Sequence, residues 1–396
     1  MNVVITTEKL PIKLWVPDQT DIIDENVLQQ FRNLANHPLA FKWIGAMPDY
    51  HLGYGMPIGG VFATRGGVVP NAVGVDIGCG MIAVRTWYRA EEFSTETLQK
   101  LRIAIHQRVP VGMGSNHKTA QVLPPRLMES DVRLRIVNDQ RDHASYQLGT
   151  LGAGNHFIEI QKEGGYEDGR VWLMLHSGSR GIGTKVCNHY HKLALKFMDK
   201  YHSAIPDRDL AFLASDTLEY WNYLQEMNWC LAFAEENREA MLRAVFEAFQ
   251  EVVGGPLSEV PSYNLKVDTH HNFVAKENHF GENVWVHRKG AVKATGLVTI
   301  PGSMGTASYI GEGLVPAESF NTCSHGAGRV LGRKAANKAI TRERAEETMQ
   351  GVVFGIRDGD FDEMPDAYKD IDAVMAAQAD LVKPVHRLTP MAVVKG

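Results

Sequence analysis

The first half of the chain alternates short apolar runs with glycine-rich turns. Gly59-Gly60-Val61-Phe62-Ala63-Thr64 and Val171-Trp172-Leu173-Met174-Leu175 are examples. Apolar runs this short, rich in β-branched and aromatic residues, predict buried strands. The period changes at residues 185–201 and again at about 207–253, and both stretches predict helices. In the second, Leu242, Val245, Phe246 and Phe249 recur on one face at helical spacing, which is the pattern of a stripe packed on a core. Strand patterns return after Gly254, at Tyr263–Val267, Val284–Val286 and Leu297–Ile300, and a mixed helical tail leads to Lys395-Gly396. Strands near both ends with helices set between them predict an α+β fold: a single compact domain over 1–396, mixed β-sheets at its core, peripheral helices and a helical insertion at about 185–253.

Composition narrows the function. A chain of 396 residues with 44% hydrophobic content can bury a large core. The net charge of −5 excludes a wholesale basic coat for nucleic acid but leaves room for a local basic groove. The N-terminus lacks a basic segment followed by an apolar one, and no apolar run is long enough to cross a bilayer, so a cytoplasmic protein with no membrane partner is expected. Cys79, Cys187, Cys230 and Cys323 are far apart and form no CxxC pair, which reads as reduced thiols rather than a disulfide framework. Sixteen histidines exceed what packing needs and point to chemistry.

That chemistry concentrates where glycines adjoin metal-capable or nucleophilic side chains. The stretches are Met47-Pro48-Asp49-Tyr50-His51, Gly74-Val75-Asp76-Ile77-Gly78-Cys79-Gly80-Met81, Gly149-Thr150-Leu151-Gly152-Ala153-Gly154-Asn155-His156, His176-Ser177-Gly178-Ser179-Arg180-Gly181 and Ser324-His325-Gly326-Ala327-Gly328-Arg329. Glycine lets backbone approach a ligand and turns N–H groups toward anions. Asp76 and Cys79, three residues apart around a glycine, can converge on one ion, and a thiolate can bridge two. His156 and His176 adjoin such turns beside strands and supply nitrogen donors to the same set. His270 and His271 are adjacent, so on a strand they face opposite ways and only one can reach a given site; His271 is favoured because Asn272 follows it. His189 and His191 stand two apart on a predicted helix and do not face each other. His325, between glycines and near Arg329 and Arg333, suits nucleophilic attack on a phosphate. Pro301-Gly302-Ser303-Met304-Gly305-Thr306-Ala307-Ser308 offers amide and hydroxyl donors but is no Walker A loop, and the Gly149–Gly154 spacing is not a dinucleotide fingerprint. Residue types alone describe a metal-dependent enzyme acting on phosphates, with zinc the metal that thiolate and imidazole usually select.

Taken together and in this order, the segments GVDIGCGM, GAGNHF, HSGSRG, PGSMG and SHGAGR resemble the RtcB family of RNA ligases, over nearly the whole chain. Residues 111–147 carry no recognisable motif. The resemblance implies an RtcB-like fold and an enzyme that joins an RNA 3′-phosphate or 2′,3′-cyclic phosphate end to a 5′-hydroxyl end, using GTP and two Mn²⁺ per chain. It implies that Cys79 bridges the two ions, with His156 and His176 on one and Asp76 and His271 on the other. His325 would carry GMP as a phosphoramidate. Asn155, Glu159, Ser303, Ser308, Tyr368 and Lys395, with Lys289 and Asp49 as further members, would grip GTP, and Glu159 would read guanine. Arg180, Arg329 and Arg333 would meet RNA phosphates. An archease-type activator and a monomeric state are also what the resemblance implies. Two other readings compete: a metal-dependent phosphohydrolase working through metal-bound water, and a non-catalytic RNA-binding paralogue.

Overall fold

The computed structural model describes residues 3–17, 23–128, 134–164, 169–254, 265–355 and 360–395. Two sheets dominate. The first has six strands in the order Val3–Ile5, Ile12–Leu14, Ala40–His51, Ile58–Thr64, Glu282–Lys289, Asn272–His279. The second has seven, in the order Lys266–His270, Gly80–Arg89, Arg170–Ser177, Phe157–Glu163, Val382–Lys395, Ser308–Leu314, Thr295–Ile300. All neighbours in the second sheet are antiparallel. Strands assembled from both ends of the sequence, with helices between, make the fold the α+β arrangement that the hydrophobic pattern predicts.

Register in the second sheet decides where the chemistry goes. His270 pairs with Gly80, Gly80 with Ser177, His176 with Phe157, and Phe157 with Lys395. His271, Cys79, His176, His156 and Lys395, scattered over more than three hundred positions, therefore meet at one end of five adjacent strands.

The helices depart from the sequence reading in detail. The first begins at Gly181 rather than 185 and runs to Lys200. The second begins only at Leu218, where the Thr217 hydroxyl accepts from the Tyr220 N–H, and runs 36 residues to Val253. Residues 208–214 hold instead a 3₁₀ turn and a two-residue strand. The long helix is not peripheral. Met241, Leu242, Val245, Phe246 and Phe249 pack on Ile82, Val84, Leu173 and Leu175 of the second sheet. Its earlier turns, through Tyr223, Met227 and Phe233, pack on Ile182, Val186 and Tyr190. The tail is helical at Arg333–Ala339, Arg342–Thr348 and Ile371–Ala377, but it ends in a fourteen-residue strand inside the second sheet. Two prolines, Pro384 and Pro390, disguise that strand; the pairing shifts register between Pro390 and Ala392, a bulge that tolerates a missing N–H. In 111–147, Pro125–Met128 and Arg135–Gln147 are helical. Tyr263 and Asn264, expected in a strand, lie outside the described residues, as does Gly396.

Candidate active site

A cavity of about 1040 Å³ opens at the strand ends. Asp76, Cys79, His176, His271 and His325 line it together. His156 stands just behind, buried, with Nε2 3.0 Å from Asp76 Oδ2 and 3.4 Å from Cys79 Sγ. His176 Nε2 lies 3.2 Å from the same sulfur and 3.3 Å from His271 Nε2.

The imidazole tautomers follow from the backbone. A carbonyl oxygen can only accept, so His156 Nδ1–H donates to Leu151 O and His176 Nδ1–H to Asn155 O, each at 2.9 Å. Both rings, when neutral, then turn bare Nε2 lone pairs toward sulfur, carboxylate oxygen and other nitrogen. Burial, and then the neighbouring rings, push His176 and His271 well below the usual histidine range, so both are neutral. Burial, and then Asp76, push the Cys79 thiol up. For Asp76, burial is outweighed by the hydrogen bond and charge of His156 and by Arg180, which hold it below the usual carboxylate range. The Asp76 Oδ1 and His271 Nδ1 atoms are buried with no hydrogen-bond partner among the described residues. Lone pairs converging at these distances repel unless a cation stands among them, so the donor set fits a metal. By proximity it divides into Cys79–His176–His271 and Asp76–Cys79–His156, with Cys79 common to both. The partition implied by the resemblance, His156 with His176 and Asp76 with His271, is not the one these distances give, because His176 Nε2 sits between the sulfur and His271.

His325 faces this cluster with its ring centroid 4.8 Å from that of His271. Its Nδ1 lies 2.6 Å from Asp49 Oδ2, which also accepts the His325 backbone N–H at 3.1 Å. The carboxylate thereby fixes Nδ1 as a protonated nitrogen, so that the neutral ring carries its lone pair on Nε2. Asp49, expected among the nucleotide contacts, is fully buried behind the ring and does not line the cavity. Gly59, at φ 78°, makes room for it: a Cβ there would sit 2.9 Å from Asp49 Oδ1 and 2.8 Å from Tyr50 backbone.

The other expected residues divide into those that reach the cavity and those that do not. Asn155, Ser303, Tyr368, Lys289 and Lys395 line it. Glu159 and Ser308 are buried off the lining and joined through Gln161, whose Nε2 donates to both at 2.6 and 3.1 Å. Burial pushes Glu159 up to about 8, against the pull of Gln161 and Lys395. Lys289 Nζ donates to the Tyr54 and Asn71 carbonyls, and burial lowers it to about 8. Lys395 Nζ donates to Gly154 O at 2.6 Å and lies 3.4 Å from Glu363. Of the arginines, Arg329 is committed within the protein, to Leu331 O, Glu363, Tyr368 and Asp362 O. It lines the cavity, and only one Nη2 N–H is left over for the expected contact with an RNA phosphate. Arg333 pairs with Asp362 at 2.9 Å but is half-exposed on the cavity wall. Arg180 packs beside Thr150 with φ 60° and ψ −149°, a strained backbone for a residue with a Cβ. Among the described residues, neither His189 nor His191 belongs to a potential metal-ligand group. His270 turns away to Gly78 O and Glu235.

Sequence reasoning missed Glu363, which binds Arg329, Tyr368 and Lys395 at one wall of the cavity. It also missed Asn237 and Arg238 of the long helix, both fully buried. Arg238 stands four residues before Leu242, on the apolar stripe, and a charged residue on a core-facing stripe was the available signal.

Comparison with known proteins identifies the family. The family model described as "tRNA-splicing ligase RtcB" matches residues 30–135 and 126–396. The chain is 41% identical to the RNA-splicing ligase RtcB of Escherichia coli K12, with 99% of each chain covered. It is 32% identical to the tRNA-splicing ligase RtcB of Methanococcus maripaludis, covering 94% of this chain and 92% of that one. It is 33% identical to the RNA-splicing ligase RtcB of Mycobacterium bovis, covering 93% and 100%.

Proposed function

The chain belongs to the RtcB family and is an RNA ligase, and from that premise we propose that it seals RNA 3′-phosphate or 2′,3′-cyclic phosphate ends to 5′-hydroxyl ends through a guanylated His325. The observation that carries this reading is the 2.6 Å bond from His325 Nδ1 to Asp49, which leaves Nε2 as the ring nitrogen offered to the cavity that holds the Cys79 cluster. A hydrolase working through metal-bound water would use the same imidazole only to move a proton and would form no adduct on it.

Asp76, Cys79, His156, His176 and His271 would hold the metal, two Mn²⁺ with Cys79 shared. When bound, the ions would draw charge from phosphoryl oxygens as it builds up. In the first step His325 Nε2 attacks the α-phosphorus of GTP. The P–N bond forms, the bond to the bridging oxygen breaks, and pyrophosphate leaves. Asp49 balances the positive charge that grows on the ring. A 2′,3′-cyclic end is first opened by water, whose oxygen bonds to phosphorus as the P–O2′ bond breaks and the 2′-oxygen takes a proton. In the second step an oxygen of the RNA 3′-phosphate attacks the phosphorus of the GMP adduct and the P–N bond breaks, which returns His325 to its neutral state. In the third, the 5′-hydroxyl oxygen attacks the RNA phosphorus, its proton passes to solvent, and GMP leaves with the bonding electrons.

Asn155, Ser303, Tyr368 and Lys395 are the nucleotide contacts that the cavity supports best. Glu159, behind them, would accept from guanine N1–H and the 2-amino group. Arg333, half-exposed on the cavity wall, is the best supported RNA phosphate contact; Arg329 also lines the cavity but has four of its five N–H groups engaged within the protein, and Arg180 lies off the lining. The protein would act in tRNA splicing or RNA repair as a single-domain cytoplasmic monomer, with an archease-type activator as its candidate partner. No described helix is long and apolar enough to cross a membrane.

Incubation with a 3′-phosphate, 5′-hydroxyl RNA pair, Mn²⁺ and GTP tests the reading. A joined product with GMP release is expected. Release of inorganic phosphate without joining would favour the hydrolase, and binding without either product would favour the paralogue.

A further inference from the structure

The metal-bearing loops have a common anchor that their own sequences do not reveal. Asn237 and Arg238 are consecutive and fully buried in the long helix. The Asn237 side chain reaches five partners: Oδ1 accepts from the N–H groups of Gly149 and Thr150, and the two N–H groups of Nδ2 are shared among Thr150 O, Ser177 Oγ and Gly178 O. Arg238 Nη1 donates to Gly78 O at 3.1 Å and Ser177 O at 3.2 Å. Its Nε and Nη2 both hold Asp268 Oδ1, at 2.9 and 2.6 Å. Each of these partners lies on a segment that carries a metal residue. Gly78 precedes Cys79, Ser177 follows His176, Gly149 and Thr150 open the turn that ends at His156, and Asp268 lies on the strand that leads to His271.

We propose that Asn237 and Arg238 are the positioning residues of the metal centre, fixing four separate chain segments so that their ligands converge. The proposal rests on the reading of the Cys79 cluster as a Mn²⁺ site. The physical case is one of pre-organisation. Five imidazole, carboxylate and thiol donors whose lone pairs repel will spread apart when no ion is bound, unless their backbones are held from behind. Fixed amide and guanidinium forks on a rigid helix do that, and the geometry of Arg238 needs the planar fork that lysine lacks. Ser177 adds a cross-tie, its hydroxyl donating to Leu151 O, the carbonyl that sets the His156 tautomer.

The test measures Mn²⁺ binding directly on the full-length, metal-stripped protein, by the paramagnetic resonance signal of free Mn²⁺, alongside melting with and without Mn²⁺. Asn237→Ala and Arg238→Lys are compared with Glu226→Gln, a buried carboxylate on the same helix that accepts the Ile136 N–H and touches none of the metal loops. The dissociation constant for Mn²⁺ is expected to rise about 10- to 100-fold in the first two variants, the usual effect of losing groups that orient ligands, and to stay unchanged in the third. Saturating Mn²⁺ is expected to restore ligation by Arg238→Lys, raising the metal requirement rather than lowering kcat. Affinity within threefold of wild type, with metal-free melting lowered as in Glu226→Gln, would overturn the proposal and leave a purely structural role. Should Asn237→Ala fail to fold, Arg238→Lys and Ser177→Ala carry the same comparison. Wild-type protein that binds no Mn²⁺ would refute the metal reading itself, a result visible before any variant is compared.

Discussion

Replacing Asp49 by asparagine probes the orientation of His325 with almost no change in shape. Both of the bonds that hold His325 converge on a single oxygen, Asp49 Oδ2. The other, Oδ1, is buried without a partner among the described residues. An asparagine can therefore sit in two ways. With its oxygen toward His325 it keeps the tautomer but buries an unsatisfied NH₂ at the Oδ1 position, at a cost of about 1–3 kcal/mol. It also replaces a charge-assisted bond with a neutral one of roughly half the strength. With its NH₂ toward His325 it faces two donors, and the ring answers by moving its proton to Nε2. That removes the attacking lone pair. In both poses the ring loses the carboxylate that balances its growing charge during attack. Losing this support slows histidine-mediated attack by up to about 10⁴-fold where an analogous carboxylate has been removed from a catalytic triad, so a fall in the guanylylation rate of about 10²- to 10⁴-fold is expected for Asp49→Asn. Single-turnover labelling with α-labelled GTP measures it, with melting as a check on folding. A folded Asp49→Asn protein that labels within fivefold of wild type would refute the role given to this bond.

Protonation of Glu159 leads to a second expectation. With the group held at about 8, a guanine that needs an acceptor must displace its proton below that pH. GTP affinity should rise by up to about tenfold per pH unit toward pH 8 and level off above it, and calorimetry in buffers of different ionisation enthalpy should detect proton release at pH 7. Pure structural histidines give a third. Burial lowers His37 to about 4 and His287 to about 3, while the unfolded chain titrates near 6.5. The unfolded state therefore binds more protons as pH falls below about 6.5, and at pH 5 each should have lost on the order of 2 kcal/mol of stability, read as a fall in denaturant midpoint that is smaller in His37→Gln. Metal addition gives a fourth. Mn²⁺ at about a hundred times its dissociation constant should stabilise the folded protein by about 2.7 kcal/mol, with a rise in melting temperature that Cys79→Ser reduces.

The sequence was legible where one residue type and its glycine neighbours carried the message. Cys79, His156 and His176 each border a turn at a strand end, and the apolar run that ends at His176 was visible, though the pairing of the strands was not. Alternation separated His271 from His270, since neighbours on a strand point to opposite sides. What stayed hidden depended on partners far away in the chain. Arg329 was expected at RNA phosphates, and its bonds to Glu363 and Tyr368, 34 and 39 positions further on, were not visible. Asp49 read as a ligand contact because its partner, His325, is 276 positions away. The last strand was hidden by its prolines, and its pairing with Phe157–Glu163 is a long-range choice that local propensity does not express. Asn237 and Arg238 were concealed by the helix around them, where the apolar stripe drew attention to packing.

The claim on which the rest depends is that His325 carries GMP. Protein incubated with Mn²⁺ and GTP, without RNA, is digested at alkaline pH and examined by mass spectrometry. A single GMP adduct on the peptide containing His325 is expected, lost in acid, stable in alkali and absent from His325→Ala. Ligation in the same preparation with no adduct on His325, or with the adduct on a lysine such as Lys289 or Lys395, would contradict the account.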